Sequence, residues 1–443
     1  MKKLSAFLSC ACLLGSLLHA QTASKNNPAA LYAKVDRLAD AVESKVIAWR
    51  RDFHQYPELS NREFRTAEKI AAHLRALGLE VHTGIAKTGV VGVLKGGKPG
   101  PVLGLRADMD ALPVAERVNL PFKSAVQTTY NGEQVGVMHA CGHDAHLAIL
   151  MGAAELLNNM REDLAGTVVF VFQPAEEGPP EGEEGGASLM VKEGLFERFG
   201  IEAMLGLHIN AQTEVGVLTY RSGGIMAAAD WFYITVHGKQ SHGSQPWSGV
   251  DPVVVSAQII EGLQTIVSRQ VDLTDQPAVI TVGKIDGGVR PNIIPEKAEM
   301  VGTIRTLDTA MQNDIHERVQ RTAKLIAESA GARAEVRIQK MAPVNFNDPE
   351  LTQRMLPALQ KAAGTANVRE RKPMTGAEDF AFYGRRVPTF FFFLGGMPKG
   401  ADPKETAAHH TPDFYLDESG LLLGVRTFSY LVLEYFGTDK RGG

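Results

Sequence analysis

The sequence predicts an α/β fold with a mostly parallel central sheet, interrupted by an inserted ferredoxin-like α+β domain. Three observations carry this expectation. Helical and strand-like patterns alternate along the 443 residues, as they do where helices cover a sheet. The run Val168–Phe172 is apolar at five consecutive positions, which suits a strand covered on both faces. From Trp231 to Gln339 the order becomes strand, helix, strand, strand, helix, strand, the split β-α-β-β-α-β motif.

In chain order, Leu31, Val35, Leu38, Val42, Val46, Trp49 and Phe53 recur every three or four residues, so 31–55 reads as an amphipathic helix. A second helix covers roughly 62–77 and stops at Gly78. Val90–Leu94 and Pro101–Leu105 read as strands, and Ala145–Leu157 as a helix capped by Asp144. Strands follow at 167–172 and 203–209. The acidic stretch 178–186 between them reads as a loop with solvated charges. The inserted segment has strands at 231–237, 278–285, 297–305 and 334–339. Its helices are 252–267, with Asp251 as cap and Pro252 in the first turn, and 309–330. About 110 residues is a workable domain size. After Met341 the α/β pattern resumes with the dense strand 388–394. The expected division is therefore 31–222 and 341–438 for one catalytic domain and 223–340 for the insertion.

The N-terminus differs from the rest. Lys2 and Lys3 precede an apolar run to Leu18, ending Leu18-His19-Ala20, the pattern of a secretory signal peptide (1–20) cleaved near Ala20. The expectation is an exported protein, periplasmic or secreted. Nothing after this segment is apolar for long enough to span a membrane. Losing Lys2 and Lys3 takes the net charge from −4 to −6, which argues against nucleic acid as a partner. Cleavage also removes Cys10 and Cys12 and leaves Cys141 alone, unable to form an internal disulfide. A lone thiol in an exported chain is unusual. Metal ligation would explain its retention.

Chemistry-bearing residues gather at predicted strand ends. Cys141 and His143 stand two apart before a helix, and Gly142 lets the backbone bend between them. His146 follows one helical turn later. Glu176 and Glu177 close the apolar run and face opposite sides if the strand geometry persists, so one would ligate and one would face a substrate. His208 closes a third strand, and Asp108 and Asp110 follow a fourth. His409-His410-Thr411-Pro412 adds imidazoles near the C-terminus. Ligands of parallel sheets collect at the carboxyl ends of strands. Thiolate, imidazole and carboxylate together are the donors of a catalytic transition metal. The pattern points to a metal-dependent hydrolase. A thiol hydrolase using Cys141, or a binding protein with a dead site, would be the rivals.

Several segments carry a resemblance: Arg106-Ala107-Asp108-Met109-Asp110-Ala111-Leu112-Pro113, Met138-His139-Ala140-Cys141-Gly142-His143-Asp144 and Gln173-Pro174-Ala175-Glu176-Glu177-Gly178. Further ones are Gly206-Leu207-His208, Asn292-Ile293-Ile294-Pro295, Gly376-Ala377-Glu378-Asp379-Phe380 and His410-Thr411-Pro412. Together they resemble the M20 metallopeptidases, specifically the amidohydrolase subgroup of aminoacylases, hippurate hydrolases and auxin-conjugate hydrolases. The resemblance implies a metallopeptidase catalytic domain with Cys141, His143, Glu177, His208 and His410 holding two divalent ions per subunit, zinc, manganese or cobalt. It implies Glu176 as general base and Asp108 beside the metals. Many relatives have a metal-binding histidine where this chain has Arg106; the amidohydrolase subgroup uses the cysteine instead. The insertion becomes a lid and homodimerisation domain. Its His242 would meet the substrate carbonyl, in its own site or the partner subunit's. Asn292, and less strongly Arg290, would meet the carboxylate. The implied substrate is an N-acyl amino acid, with a short peptide cleaved by a carboxypeptidase or dipeptidase as the alternative.

Overall fold

A computed structural model describes residues 28–438. The expected signal peptide, with Cys10 and Cys12, lies outside the described residues. Helices α1 (Pro28–Gln55) and α2 (Phe64–Ala76) precede strands β1 (Glu80–Ile85), β2 (Gly89–Lys95) and β3 (Lys98–Asp108). A hairpin, β4 (Gln127–Tyr130) and β5 (Glu133–Gly136), leads to α3 (His143–Asn158). Then come β6 (Ala165–Gln173), the short helices α4 (Gly186–Lys192) and α5 (Leu195–Phe199), β7 (Ala203–Glu214), β8 (Leu218–Tyr220) and β9 (Gly223–Met226). The insertion holds β10 (Ala228–His237), β11 (Ser241–His242), α6 (Pro252–Arg269), β12 (Ala278–Gly287), β13 (Ile293–Ile294), β14 (Lys297–Thr306), α7 (Thr309–Ser329) and β15 (Arg333–Ala342). The chain returns through β16 (Asn345–Asn347), α8 (Pro349–Ala363), β17 (Val368–Glu370), β18 (Thr389–Met397) and α9 (Leu421–Thr438).

The main sheet runs β1-β2-β6-β3-β7-β18-β8-β17. Its centre, β6-β3-β7-β18, is parallel throughout. The period of two explains why its strands are apolar at every position. Val168, Phe170 and Phe172 enter the core beneath α1, α3 and α9, while Val169 and Val171 enter a second core on the other face. Phe390 and Phe392 divide from Phe391 and Phe393 in the same way. Among the described residues, no helix is long and apolar enough to cross a membrane.

The second sheet is antiparallel in the order β12-β14-β10-β15, with its own core between the sheet and helices α6 and α7. That is the strand order of the ferredoxin-like motif. Strands β11 and β13 form a small separate ribbon.

Asp144 does not cap α3. Gly142 occupies the cap position at φ 97°, and Asp144 lies inside the first turn. Its carboxylate instead meets Arg50 Nε at 2.9 Å and His54 Nδ1 at 2.8 Å. A fully buried carboxylate needs a cation more than a helix needs a cap. Glycine is required at 142 for a second reason: a Cβ there would come within 2.5 Å of Ile209. The acidic loop is not merely solvated either. Glu183 accepts from Arg62 at 2.6 Å and from Asn61 at 3.0 Å, and it pairs with Lys87.

Candidate metal centre

The carboxyl ends of β3 and β6, the middle of β7 and the start of α3 converge on one point, joined there by the loop after β18; His208 does not close its strand, because β7 runs on to Glu214 against β18. Cys141 Sγ lies 3.3 Å from His208 Nε2 and 3.3 Å from His410 Nε2. Glu177 Oε1 lies 3.1 Å from His410 Nε2 and 4.0 Å from His143 Nε2. The five expected ligands are therefore together, although Cys141 and His410 are 269 residues apart.

Their unused atoms point inward. The Nδ1 of His143 donates to the Asp110 carbonyl at 2.8 Å, and that of His208 donates to the Ile209 carbonyl at 2.6 Å. Each Nε2 is then the nitrogen left to face a cation, the orientation a metal ligand needs. His143 Nε2 is buried without a hydrogen-bond partner. Leaving such an atom unpaired costs about 1–3 kcal/mol.

Charge tells the same story. Burial, then Glu378, Glu177 and Asp379, pushes the Glu176 carboxyl well above its usual range. Burial, with Glu177 and Glu176, likewise pushes the Cys141 thiol up. Burial opposes protonation of His143, but Asp108 and Asp110 outweigh it and raise the imidazole to about 10. The site carries more buried negative charge than its own groups neutralise, and divalent cations would restore the balance. The sulfur, nitrogen and oxygen donors suit a transition metal.

Neighbouring histidines are excluded by their bonding. His146 contacts Asp108 Oδ1 at 2.6 Å and accepts from Ile209 N at 2.8 Å. His409 donates to the Cys141 carbonyl at 3.1 Å and accepts from Ala211 N at 3.0 Å. Neither has a nitrogen to spare, so both position the ligand-bearing backbone.

Glu176 and Glu177 both come within about 4 Å of His143 Nε2 but take different further partners, and strand pleating does not set this. β6 ends at Gln173, and Ala175 turns the chain at φ 53°. Asp110 holds this turn, accepting from Glu176 N and Glu177 N at 3.0 Å each, and itself accepts from Ser60 Oγ at 2.7 Å. Glu177 thus meets His410, while Glu176 accepts from Asp379 N at 3.4 Å. Sequence reasoning gave Asp110 no such role, since nothing local links it to residues 176 and 177. The same is true of Arg106. It is fully buried and donates to Gln173 at 2.9 Å, Asp108 at 2.9 Å, Glu378 at 2.8 Å and Asp379 at 3.2 Å.

A cavity of about 470 Å³ opens on Cys141, Glu176, Glu177, His208 and His410. The lid candidates are elsewhere. His242 is exposed on the β11–β13 ribbon, its Nδ1 accepting from Ser244 N at 3.1 Å. Asn292 and Arg290 are exposed beside it, and none of the three lines the cavity in its own chain.

Residues 104–434 match Peptidase family M20/M25/M40. The chain is 39% identical over 398 residues to Thermostable carboxypeptidase 1 of Saccharolobus solfataricus, covering 89% of this chain and 96% of that protein. It is 37% identical over 401 residues to an N-acetylcysteine deacetylase of Bacillus subtilis, covering 90% and 99%. A Bacillus subtilis crystal structure described as a dinuclear metal binding peptidase from the M20 family superposes with a TM-score of 0.76 at 35% identity, covering 90% and 99%. With its mainly parallel sheet and strand-end donor cluster, this chain belongs to the M20 peptidase family and is a hydrolase.

Proposed function

We propose that the chain holds two divalent ions through Cys141, His143, Glu177, His208 and His410 and hydrolyses the amide bond of N-acyl amino acids. The observation that carries this reading is the convergence of Cys141 Sγ, His208 Nε2, His410 Nε2 and Glu177 Oε1, linked by contacts of 3.3 Å or less beside Glu176, with His143 Nε2 buried and unpartnered next to them. Bound ions would be zinc, manganese or cobalt, and they supply a polarised water and carbonyl. Glu176 takes the proton of the attacking water and returns it to the leaving nitrogen, so water adds across the C–N bond. Such acid–base help contributes about 10²–10⁴-fold. Asp108 keeps His146 and Arg106 fixed beside the ligands.

His242 would donate to the oxyanion, with Asn292 and Arg290 receiving the α-carboxylate. In the present arrangement they reach the cavity only by lid movement or from a partner subunit. Exposed Val253, Val254, Val279 and Ile285, together with the open edge of β12, support a homodimer through this domain. The basic-then-apolar N-terminus supports export after cleavage near Ala20; an intact Met1 in a cytoplasmic pool would sink that reading. Release of a C-terminal amino acid from peptides is the second reading, favoured by the similarity to a carboxypeptidase. A panel of N-acyl amino acids and dipeptides, assayed with added Mn²⁺, Zn²⁺ or Co²⁺, separates the two. Cleavage of peptides alone would reject the first.

A further inference from the structure

Glu63 is a buried carboxylate that the chemistry above does not use. It stands at the N-cap position of α2, yet its side chain does not cap the helix. Glu58 does so instead, accepting from Arg65 N at 3.1 Å and from Thr66 N at 2.8 Å. The Glu63 carboxylate accepts from Ala175 N at 2.9 Å and from Thr88 Oγ1 at 2.6 Å. It is fully buried, and among the described residues no lysine or arginine forms an ion pair with it. Burial, then the nearby Asp110 carboxylate, pushes its pKa up to about 7. A buried carboxylate without a cation costs stability, so its presence is explained by what it holds.

Ala175 N is the first of three consecutive amides held by buried carboxylates. Glu63 takes Ala175 N, and Asp110 takes Glu176 N and Glu177 N at 3.0 Å each. One short segment supports both carboxylates, because Ser60 Oγ donates to Asp110 at 2.7 Å. The same segment reaches the far end of the acidic loop, where Asn61 Nδ2 donates to the Glu184 carbonyl at 3.1 Å. A Cβ on Gly185 would stand 3.1 Å from that of Ala175, so the loop closes onto its own start. Residues 60–63 thus clasp both ends of the loop that carries Glu176 and Glu177. The held turn is strained. Ala175 stands at φ 53°, a conformation that a side chain disfavours and that persists only where the surroundings impose it.

Resting on the amide-hydrolase reading above, we propose that Glu63 is a positioning residue: through Ala175 N it fixes the strained turn that sets Glu176 for proton transfer and Glu177 for metal binding. Reach, rather than charge, is what this role requires. A glutamine keeps an oxygen at the same distance, whereas an aspartate keeps the charge but is one methylene short.

Wild type, Glu63→Gln, Glu63→Asp and Glu63→Ala are assayed with an N-acyl amino acid at saturating Mn²⁺. Glu63→Gln should keep kcat near wild type. Glu63→Ala should lower kcat about 10²-fold with KM little changed, the scale of a catalytic group displaced by about 1 Å. Glu63→Asp should fall between them, and it decides the matter if Glu63→Ala fails to fold. Mn²⁺ affinity should weaken about 10–100-fold in the alanine variant, because Glu177 shares the turn. A third readout uses metal-free protein: amide hydrogen exchange over 173–178 should speed up in Glu63→Asp and Glu63→Ala, with 165–172 unchanged. A purely structural role would lower the melting temperature and leave kcat intact below it. Unchanged kcat in the aspartate and alanine variants, a glutamine variant as poor as alanine, or exchange that does not single out 173–178 overturns this inference alone. Full activity in Glu176→Gln overturns the general-base reading beneath it, and this inference with it.

Discussion

The histidines at the ends of the main sheet and the histidine of the lid ribbon are held in opposite ways. His143 is buried, its Nδ1 committed to a backbone carbonyl and its Nε2 aimed at Cys141 and Glu177. His242 is exposed, leans on Ser244 two residues away, and lines no part of the cavity that Cys141 lines. The first group is fixed by two packed cores that leave the strands little freedom. The second is held only by a contact within its own ribbon. A donor set fixed before any ligand arrives suits metal binding, whereas under the proposed function an exposed donor would serve only once it is brought to the site.

The largest expected effect tests the fixed set. Chelation should remove essentially all activity and expose Cys141 to thiol reagents, because coordination otherwise withholds the nucleophile. Equal thiol reactivity with and without metal, or activity that survives chelation, would reject ligation by Cys141.

Next comes the split between the two glutamates. Glu176→Gln should lower kcat about 10²–10⁴-fold with metal content near normal. Glu177→Gln should instead lose metal. The reverse pattern would show the roles exchanged.

The exposed side is tested by His242→Ala, expected to lower turnover about 10²–10³-fold with little change in substrate binding. Mixing His242→Ala with Glu176→Gln subunits should restore some activity if the histidine acts in the partner's site. No recovery despite proven subunit exchange would confine it to its own chain.

The smallest effect lies beneath the fixed cluster. Burial opposes the charge on His54, but its bonds to Asp144 and Glu116 outweigh this and hold the imidazole above its usual range. Its stabilising contribution is then complete below the unfolded value of about 6.5 and fades as pH rises through the folded pKa. Melting temperature should therefore fall over that interval, and less so in His54→Gln. An equal fall in both would remove His54 from the account.

Local patterns were legible where the physics is local. The helix predicted over 31–55 is α1, starting three residues earlier, because its three-and-four spacing is what a single buried stripe requires. Val168–Phe172 was readable as a strand from composition alone. Asp144 was misread as a cap because its true partners, Arg50 and His54, lie about ninety residues away. Strand pleating was the wrong basis for separating Glu176 from Glu177, since the strand has ended and Asp110 and the turn at Ala175 set their backbone.

By itself the sequence determined the elements, the donor types and the motifs that tie them to a family. These depend on spacing within a turn or a strand, which propensity and periodicity govern. Tertiary structure alone decided which donors meet. The parallel order of β6, β3, β7 and β18 brings strand ends far apart in sequence to one edge, and the loop after β18 carries His410 against Cys141. It also decided that His146 and His409 have no free nitrogen, that Arg106 sits in a knot of carboxylates, and that the lid residues stand away from the cavity. Each of these is a matter of which partner satisfies a buried polar atom, and that partner is chosen by packing across the whole chain rather than by its neighbours in sequence.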